Sequence, residues 1–191
     1  MAQQDLNTRF VTGKVRLSYV NLFTPRSPGE GQPEKYSVTI IIPKSDRETL
    51  DKIETARRNA IEKGRDRFAG GKVPKNLKNT LHDGDVDADL DRNPEYAGSY
   101  YMSVSANAQY RPTVVDQSVQ PILDPAEVYS GCYARVSLNA FAYSKQGNQG
   151  VSFGLGNVQK LADGETLGGG PVRAENEFSA VAVDDDDDDL L

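Results

Sequence analysis

The chain has 191 residues, and a hydrophobic content of 37% with nine Tyr and six Phe is enough for one modest core. No run of 18 apolar residues occurs, and the first ten residues lack a basic start followed by an apolar stretch, so neither a membrane span nor a secretion signal is predicted. The single cysteine, Cys132, excludes an internal disulfide framework and suits a reducing cytosol.

The net charge of −6 is distributed unevenly along the chain. Residues 171–191 contain eight acids and one base, whereas residues 1–170 contain 20 acids and 21 bases. Residues 57–78, the basic block, carry eight bases against two acids. Residues 83–91 (DGDVDADLD) have Asp at every second position. The sequence therefore predicts a near-neutral body with sharp local patches and a strongly acidic end.

Alternation of apolar and polar residues predicts a half-buried first strand over residues 9–20. One face of this strand comprises Val11, Val15, Leu17 and Tyr19, and the other Thr12, Lys14, Arg16 and Ser18. A loop rich in Pro and Gly over residues 21–35 then leads to a second strand, 36–43, which is rich in β-branched residues.

A helix is predicted after the second strand. Ser45 and Glu48 have the spacing of a capping box, apolar residues then recur at helical spacing, and Gly64 is the predicted stop. A basic, glycine-bearing loop over residues 69–80 follows.

Three more alternating segments predict the remaining strands. The third strand covers residues 99–107, the fourth 132–143, and a hairpin turn over 144–150 leads to the fifth, 151–161. On the fourth strand one face is Cys132, Ala134, Val136, Leu138, Ala140 and Ala142, and the other is Tyr133, Arg135, Ser137, Asn139, Phe141 and Tyr143.

Five strands with one helix between the second and third predict a mainly β fold, because a closed barrel removes sheet edges and lets one inner face fill a small core. A five-stranded oligonucleotide/oligosaccharide-binding (OB) barrel is the first candidate, and a sandwich is the alternative. We expect the OB domain to cover residues 1–163 and a flexible, disordered acidic tail to cover 164–191.

Catalytic groups are scarce. His82 lies beside Asp83 without a nucleophile motif and is interpreted as a solvated loop histidine, and Cys132 as a small core residue. The aspartates of residues 83–91 fit a calcium loop in neither register, since Ala88 and Pro94 stand where Gly and Glu are required from Asp83. They are interpreted as a solvated loop, or as a counterpart to the basic block. The sequence predicts no catalytic residue, metal or cofactor, although a metal-dependent nuclease using Asp83 to Asp91 is kept as an alternative.

Aromatic and basic residues on the polar strand faces favour nucleic-acid binding. Unpaired bases stack on such rings and the cations contact phosphates, whereas a duplex hides its base faces. The alternative is that the rings cover a helix or a loop, or lie in a homodimer interface. The predicted DNA-binding residues are Lys14, Arg16, Arg57, Arg58, Lys72, Lys75, Lys78, Tyr101, Tyr110, Arg111, Tyr133, Arg135, Phe141 and Tyr143.

The chain ends in six aspartates and two leucines. Extended aspartates have nearly the spacing of phosphates along a DNA strand, about 3.4 Å, so this tail is predicted to compete with DNA and, once displaced, to recruit proteins. The alternative is a tail that only increases solubility, but that role does not explain the two terminal leucines. The predicted partner-binding residues are Asp184, Asp185, Asp186, Asp187, Asp188, Asp189, Leu190 and Leu191.

Five segments and the aspartate ending together resemble the single-stranded DNA-binding proteins of tailed bacteriophages. The segments are LHDGD (81–85), YRPTVVD (110–116), YSGCYARVSLNAFAYS (129–144), GNQGVSFGLGNVQKLADGETLGG (147–169) and, at the other end, RFVTGKVRLSYVNLF (9–23). The likeness covers nearly the whole chain. One departure is Leu191, because many acidic tails of this functional type end in an aromatic residue.

The resemblance implies an OB barrel, sequence-tolerant binding of single-stranded DNA, and an acidic C-terminus that modulates binding and recruits phage or host replication and recombination proteins. It implies action in the cytoplasm of the infected bacterial host, with no membrane partner. An acidic DNA mimic or adaptor that binds basic proteins is the alternative from another class.

Overall fold

The computed structural model describes residues 6–168 and 178–180. The strands within them are β1 (Arg9–Val11), β2 (Val15–Arg26), β3 (Lys35–Pro43), β4 (His82–Asp83), β5 (Ser99–Asn107), β6 (Val114–Val115), β7 (Tyr133–Lys145) and β8 (Asn148–Ala162). The helices are α1 (Arg47–Lys63) and the single turn α2 (Gly84–Asp87), and 3₁₀ turns cover Arg65–Arg67, Ala69–Gly71, Pro94–Tyr96 and Pro125–Glu127.

Five long strands pair in a closed ring. β2 pairs with β3, β3 with β5, β5 with β8, β8 with β7, and β7 again with β2. These pairs are antiparallel except β5–β8, which is parallel and joins Ser105 to Gly154. Ring closure leaves no long strand with an open edge. The mainly β fold of five long strands with one helix between the second and third is therefore confirmed.

The core fills the inside of this ring. On β7 the predicted apolar face is buried, and none of its residues from Ala134 to Ala142 is more than 2% exposed. The opposite face, from Tyr133 to Tyr143, is half-buried or exposed. The inner faces of the other long strands supply, among others, Leu17, Ile40, Met102 and Phe153.

The predicted first strand is wrong in two respects. The first is that the chain forms two strands with a break between them. Thr12 in the break is fully buried, and its backbone N–H donates to the Val136 carbonyl at 3.0 Å. This inward turn leaves Val11 41% exposed. A second irregularity follows Ser18, where the β2–β3 register shifts and Tyr19 takes a positive φ of 47°. Tyr19, predicted to face the core, is 65% exposed.

Helix α1 closes against the same core. Its buried residues are Thr49, Ile53, Ala56 and Ala60, and it packs on β1, β7 and β8. The helix ends at Gly64 as predicted, but its N-cap is Asp46 rather than Ser45, because the Asp46 carboxylate accepts from the Thr49 backbone N–H at 3.1 Å. No helix in the described ranges is long and apolar enough to cross a bilayer.

Three strands, β2, β7 and β8, are longer than predicted. β2 continues to Arg26, into the segment predicted as a loop, and the β7–β8 hairpin narrows to a turn at Gln146 and Gly147. Both turn residues have positive φ, 50° and 80°, which suits the tight turn of a twisted hairpin.

Residues 163–168, which follow β8, pack back onto the barrel as a strap. Arg16 donates to the carbonyls of Gly131 (3.1 Å) and Glu165 (2.7 Å), and the Leu167 N–H donates to the Ser130 carbonyl at 2.9 Å. Gly131 has a φ of 118°, and a Cβ there would lie 2.0 Å from the Glu165 carbonyl oxygen, so only glycine fits under the strap. The boundary between residues 163 and 164 stays a prediction, but the described residues just after it contact the barrel.

Candidate nucleic-acid interface

An open groove of about 750 Å³ runs across the outer face of β2, β3 and β5. Its floor consists of small polar side chains that point outward from these strands, including Ser37, Thr39, Ser103 and Ser105. A floor of this kind lets a flat ligand approach the sheet closely. In OB folds this strand face is the one that binds oligonucleotides.

Three tyrosines line the groove. The Tyr101 ring lies edge-on to Tyr96 (4.6 Å between centroids) and stacks on the His82 imidazole (5.2 Å). Tyr19 lies on β2 and reaches the groove because the irregularity at its backbone turns it outward. Burial raises the pKa of both the Tyr96 and the Tyr101 phenol, and the Asp87 carboxylate raises that of Tyr101 further. These phenols are therefore neutral at physiological pH.

The charges around the groove are segregated. Arg26 and Lys35 pair across the ends of β2 and β3 and line the groove there, whereas Asp87 and Asp89 line the wall that precedes β5. A phosphate backbone is attracted to the cationic side and repelled from the acidic one. A bound strand would therefore place its phosphates toward Arg26 and Lys35.

Lys44 holds the acidic wall in place. Its ammonium group lies 2.7 Å from Asp83 Oδ1 and 2.7 Å from Asp85 Oδ2, and Asp85 also accepts from the Gly98 N–H at 2.9 Å. These hydrogen bonds raise the pKa of Lys44, and the bond from Lys44 lowers the pKa of Asp85. Two of the five aspartates predicted as a solvated loop thus bind a lysine from outside the basic block, and the described residues contain no cluster of acids, His or Cys arranged to hold a metal ion.

The predicted DNA-binding residues fall into separate groups. Tyr101 alone lines the groove. Phe141, Tyr143 and Lys78 lie together on the outer side of β7 and β8, with Lys72 and Lys75 exposed in the segment before Lys78.

Another group lies where β2 meets β7. Lys14 and Arg16 stand over the Tyr133 ring, at 4.7 Å and 5.5 Å from its centroid, and Arg135 donates to the Thr12 carbonyl at 3.3 Å. Arg16 also anchors the strap, so its guanidinium is engaged within the fold.

The other four predicted residues are isolated from the groove. Arg57 and Arg58 lie on α1, where Arg58 is 4.0 Å from Glu54, and Tyr110 and Arg111 are exposed in the loop after β5. The predicted tail residues, Asp184 to Leu191, lie outside the described residues.

Sequence reasoning missed four groove residues. Tyr19 was assigned to the apolar face because strict alternation takes no account of a bulge. Tyr96 lies in an irregular segment without periodicity. Arg26 and Lys35 did carry a signal, since they flank a Pro- and Gly-rich loop at the ends of two adjacent strands.

Cys132 has the structural setting predicted for it, whereas His82 lies in strand β4 rather than in a loop and stacks on the Tyr101 ring. Cys132 is fully buried, and burial raises the pKa of its thiol, which keeps it in the neutral, unreactive form. His82 is exposed, and its Nδ1 lies 3.7 Å from Asp87.

A closed five-stranded barrel with an aromatic groove across β2, β3 and β5 defines an OB-type nucleic-acid-binding protein. The sequence profile of one family, described as the single-stranded DNA-binding protein of Enterobacter phage Enc34, matches residues 8–191. The chain belongs to this family, and membership places it with single-stranded DNA-binding proteins of phages rather than with acidic DNA mimics.

Relatives and solved structures agree with this assignment. The chain is 29% identical over 181 residues to putative protein p50 of Acyrthosiphon pisum secondary endosymbiont phage 1, covering 91% of this chain and 94% of the relative. It superimposes on the single-stranded DNA-binding protein of bacteriophage Enc34 with a TM-score of 0.65 and 25% identity, covering 93% and 97% of the two chains. For gp2.5, a single-stranded DNA-binding protein of bacteriophage T7, the values are 0.60, 17%, 92% and 98%, so that likeness shows the fold alone.

Proposed function

We propose that this protein binds single-stranded DNA without sequence preference in the groove across β2, β3 and β5. The observation that carries the proposal is the groove itself, lined by Tyr19, Tyr96 and Tyr101 with Arg26 and Lys35 at its cationic side, in a chain of this family. A structure of the Enc34 protein in complex with single-stranded DNA, superimposed with a TM-score of 0.68 at 24% identity, has the same fold.

The groove supports stacking more than base-edge recognition. Tyr19 and Tyr101 offer ring surface, and every base has a π-face, so contacts of this kind tolerate any sequence. Arg26 and Lys35 supply charge for the backbone, which carries no sequence information. In a duplex the bases stack on one another, so their faces are not available to stack on these rings.

The test is a fluorescence titration of the full chain with an oligothymidine, an oligouridine and a duplex. We expect binding to the oligothymidine whose log affinity falls with log salt by about 0.7 for each phosphate contacted, and weaker binding to the duplex. Tyr101→Ala should weaken binding by roughly 1–3 kcal/mol, and Tyr101→Phe, the matched control, should not. Absence of binding to the oligothymidine at low salt overturns the proposal.

We further propose that the acidic tail competes with DNA for this groove. The strap ends close to the groove, because Leu167 bonds to Ser130, whose hydroxyl lies 3.5 Å from the backbone nitrogen of Val20, the residue after Tyr19. A structureless chain of the length of residues 169–191 spans about 25 Å, enough to reach across the face of a small barrel.

The tail, once displaced by DNA, recruits phage or host replication and recombination proteins through Asp184 to Leu191. The protein acts without catalysis in the cytoplasm of the infected bacterial host. A homodimer stays open, and light scattering of the purified protein with and without oligothymidine tests it.

A further inference from the structure

We propose that bound single-stranded DNA does not end at the groove but continues over β8 to a second contact site on β7. This site consists of Phe141 and Tyr143 with the cations Lys63, Arg67 and Lys78. The inference rests on the proposed function and extends it, since it assigns a longer track and a second set of contacts to the same ligand.

The floor of the groove is continuous with β8. Ser105, which lines the groove on β5, pairs with Gly154 on β8, and Gly154 pairs with Asn139 on β7. The β8 residues nearest to Gly154 that share its outward parity are Gly150, Ser152 and Gly156. None of them has a large side chain that would interrupt a ligand passing from one strand to the next.

Two aromatic rings stand at the far side of this strip. A Cβ on Gly154 would lie 3.8 Å from Cε1 of Phe141, so the Phe141 ring lies over this glycine, and it is 41% exposed. A Cβ on Gly150 would lie 2.9 Å from the Tyr143 hydroxyl and 3.1 Å from Lys78 Cβ, so Tyr143 and Lys78 meet over this second glycine. Phe141 is not part of the core, so core packing does not explain an exposed Phe at this position.

Cations surround the rings. A cleft of about 150 Å³ beside Phe141 is lined by Lys63, the last residue of α1, and by Arg67 from the 3₁₀ turn that follows, together with Asn139. Both cations are exposed, and no carboxylate within the described ranges pairs with either of them. The neighbouring Glu62 binds Arg65 at 2.6 Å, so it does not neutralise Lys63 or Arg67. Asp66 is the other acid of this turn, and it forms no ion pair within the described residues. Arg67 donates to the Ala142 carbonyl at 3.4 Å but keeps its charge. Rings beside cations that no carboxylate neutralises suit the bases and phosphates of a single strand.

The distance between the two sites suits a single strand. Adjacent strands of a sheet lie about 4.8 Å apart, so β5 and β7 are separated by about 10 Å across β8. About three nucleotides at 3.4 Å each cover that distance. An oligonucleotide that fills only the groove would not reach Phe141, whereas a longer one would.

The experiment compares full-length variants on two oligothymidines. One has about 5 nucleotides, near the lower end of the roughly 4–16 that a single OB fold covers, and the other has about 20, beyond the upper end. Phe141→Ala should weaken binding of the long oligothymidine about tenfold and leave the short one unchanged. Lys63→Gln with Arg67→Gln should lower the salt slope for the long one by about 1.4, that is, about 0.7 for each lost phosphate contact. Arg47→Gln, an exposed cation at the opposite end of α1, is the matched control and should change neither.

Each further outcome is decisive. If Phe141→Ala and the double variant leave the long oligothymidine unchanged while Tyr101→Ala weakens both, the second site is overturned, the groove stands, and the face belongs to a protein contact instead. If Phe141→Ala weakens both lengths equally, the separate site is likewise overturned. Failure of the unaltered protein to bind either oligothymidine overturns the proposed function itself. Equal melting temperatures of the variants show that lost affinity is not lost folding.

Discussion

At the scale of single residues, the most informative position is Tyr19. A non-glycine residue with positive φ is uncommon, and an aromatic residue in this conformation costs about 1–2 kcal/mol. The side chain is 65% exposed, so burial does not offset that cost. Strained residues of this kind cluster at binding sites, where the strain orients a side chain that the ligand uses. Here the strain turns a ring from the core side of β2 into the groove.

Tyr19→Asn should therefore separate stability from binding. Asn tolerates the left-handed region better than Tyr does, so the free energy of unfolding should stay unchanged or rise by up to about 1 kcal/mol. Loss of the ring should weaken binding to oligothymidine by roughly 1–3 kcal/mol. Urea denaturation and a fluorescence titration measure the two quantities. A variant that is clearly destabilised yet binds normally would show that the ring serves the fold and not the ligand.

At the scale of elements, the acidic wall of the groove depends on one lysine. Lys44, just after β3, reaches Asp83 and Asp85 about 40 residues later and fixes α2 and the segment that follows against β5. The bond from Lys44 lowers the pKa of Asp85, so this contribution to stability is present above the ordinary Asp pKa of about 3.9 and is lost as pH falls through the lowered value. The raised pKa of Lys44 preserves it on the alkaline side beyond the usual lysine range.

Lys44→Met tests this dependence on pH. We expect the variant to be less stable than the unaltered protein at pH 7, and the difference in stability to shrink as pH falls below about 4 and then through the lowered pKa of Asp85. Hydrogen exchange of residues 83–98 at pH 7 should be faster in the variant, because the wall is no longer clamped. A difference in stability that persists at pH 2 would mean that Lys44 acts through its contact with the Tyr100 ring instead.

The position of the segment that carries Lys72, Lys75 and Lys78 depends on one buried aromatic ring, that of Phe68. Phe68, between the 3₁₀ turns that follow α1, is 2% exposed although its neighbours Arg67 and Ala69 are exposed. Its burial ties the start of the segment that carries Lys72, Lys75 and Lys78 to the barrel.

Phe68→Ala should cost about 3–5 kcal/mol of unfolding free energy, as expected for truncation of a fully buried Phe. Tyr110→Ala, at a site where the side chain is 66% exposed, should stay within about 0.5 kcal/mol and serves as the control. Urea denaturation measures both. A loss below about 1 kcal/mol for Phe68→Ala would show that the ring contributes little packing.

At the scale of the whole molecule, the charge differs between residues 1–170, which are near neutral, and residues 171–191, which are strongly acidic. The described barrel offers an aromatic groove with cations at one side, while the eight acids of residues 171–191 provide most of the net charge of −6. An intramolecular anion at millimolar effective concentration competes with DNA without any change in the groove.

Deletion of residues 169–191 should accordingly tighten binding of oligothymidine, most strongly at low salt, where the competing charges are least screened. The strap, which ends at residue 168, stays intact in this variant, so the barrel should melt at the same temperature. Titrations of both proteins over a range of salt concentrations measure the effect. Unchanged or weaker binding after deletion would refute competition and leave recruitment of proteins as the tail's role.

The sequence alone determined the features that arise from neighbouring residues. Alternation identified both faces of β7, β-branched residues identified β3, helical spacing with Gly64 identified α1, and the charge blocks follow from composition. Five strands with one helix were enough to favour an OB barrel, and the resemblance to phage proteins identified the family.

Only the tertiary structure decided where the rings and charges meet. The groove exists because β2, β3 and β5 become neighbours, its wall because Lys44 binds Asp83 and Asp85, and its exposed ring because a bulge reverses the face of Tyr19. Lys63 and Arg67 flank Phe141 across more than 70 residues of sequence. Local patterns report which face a side chain prefers, whereas a binding surface is made of contacts between distant segments, and those depend on how the ring of strands closes.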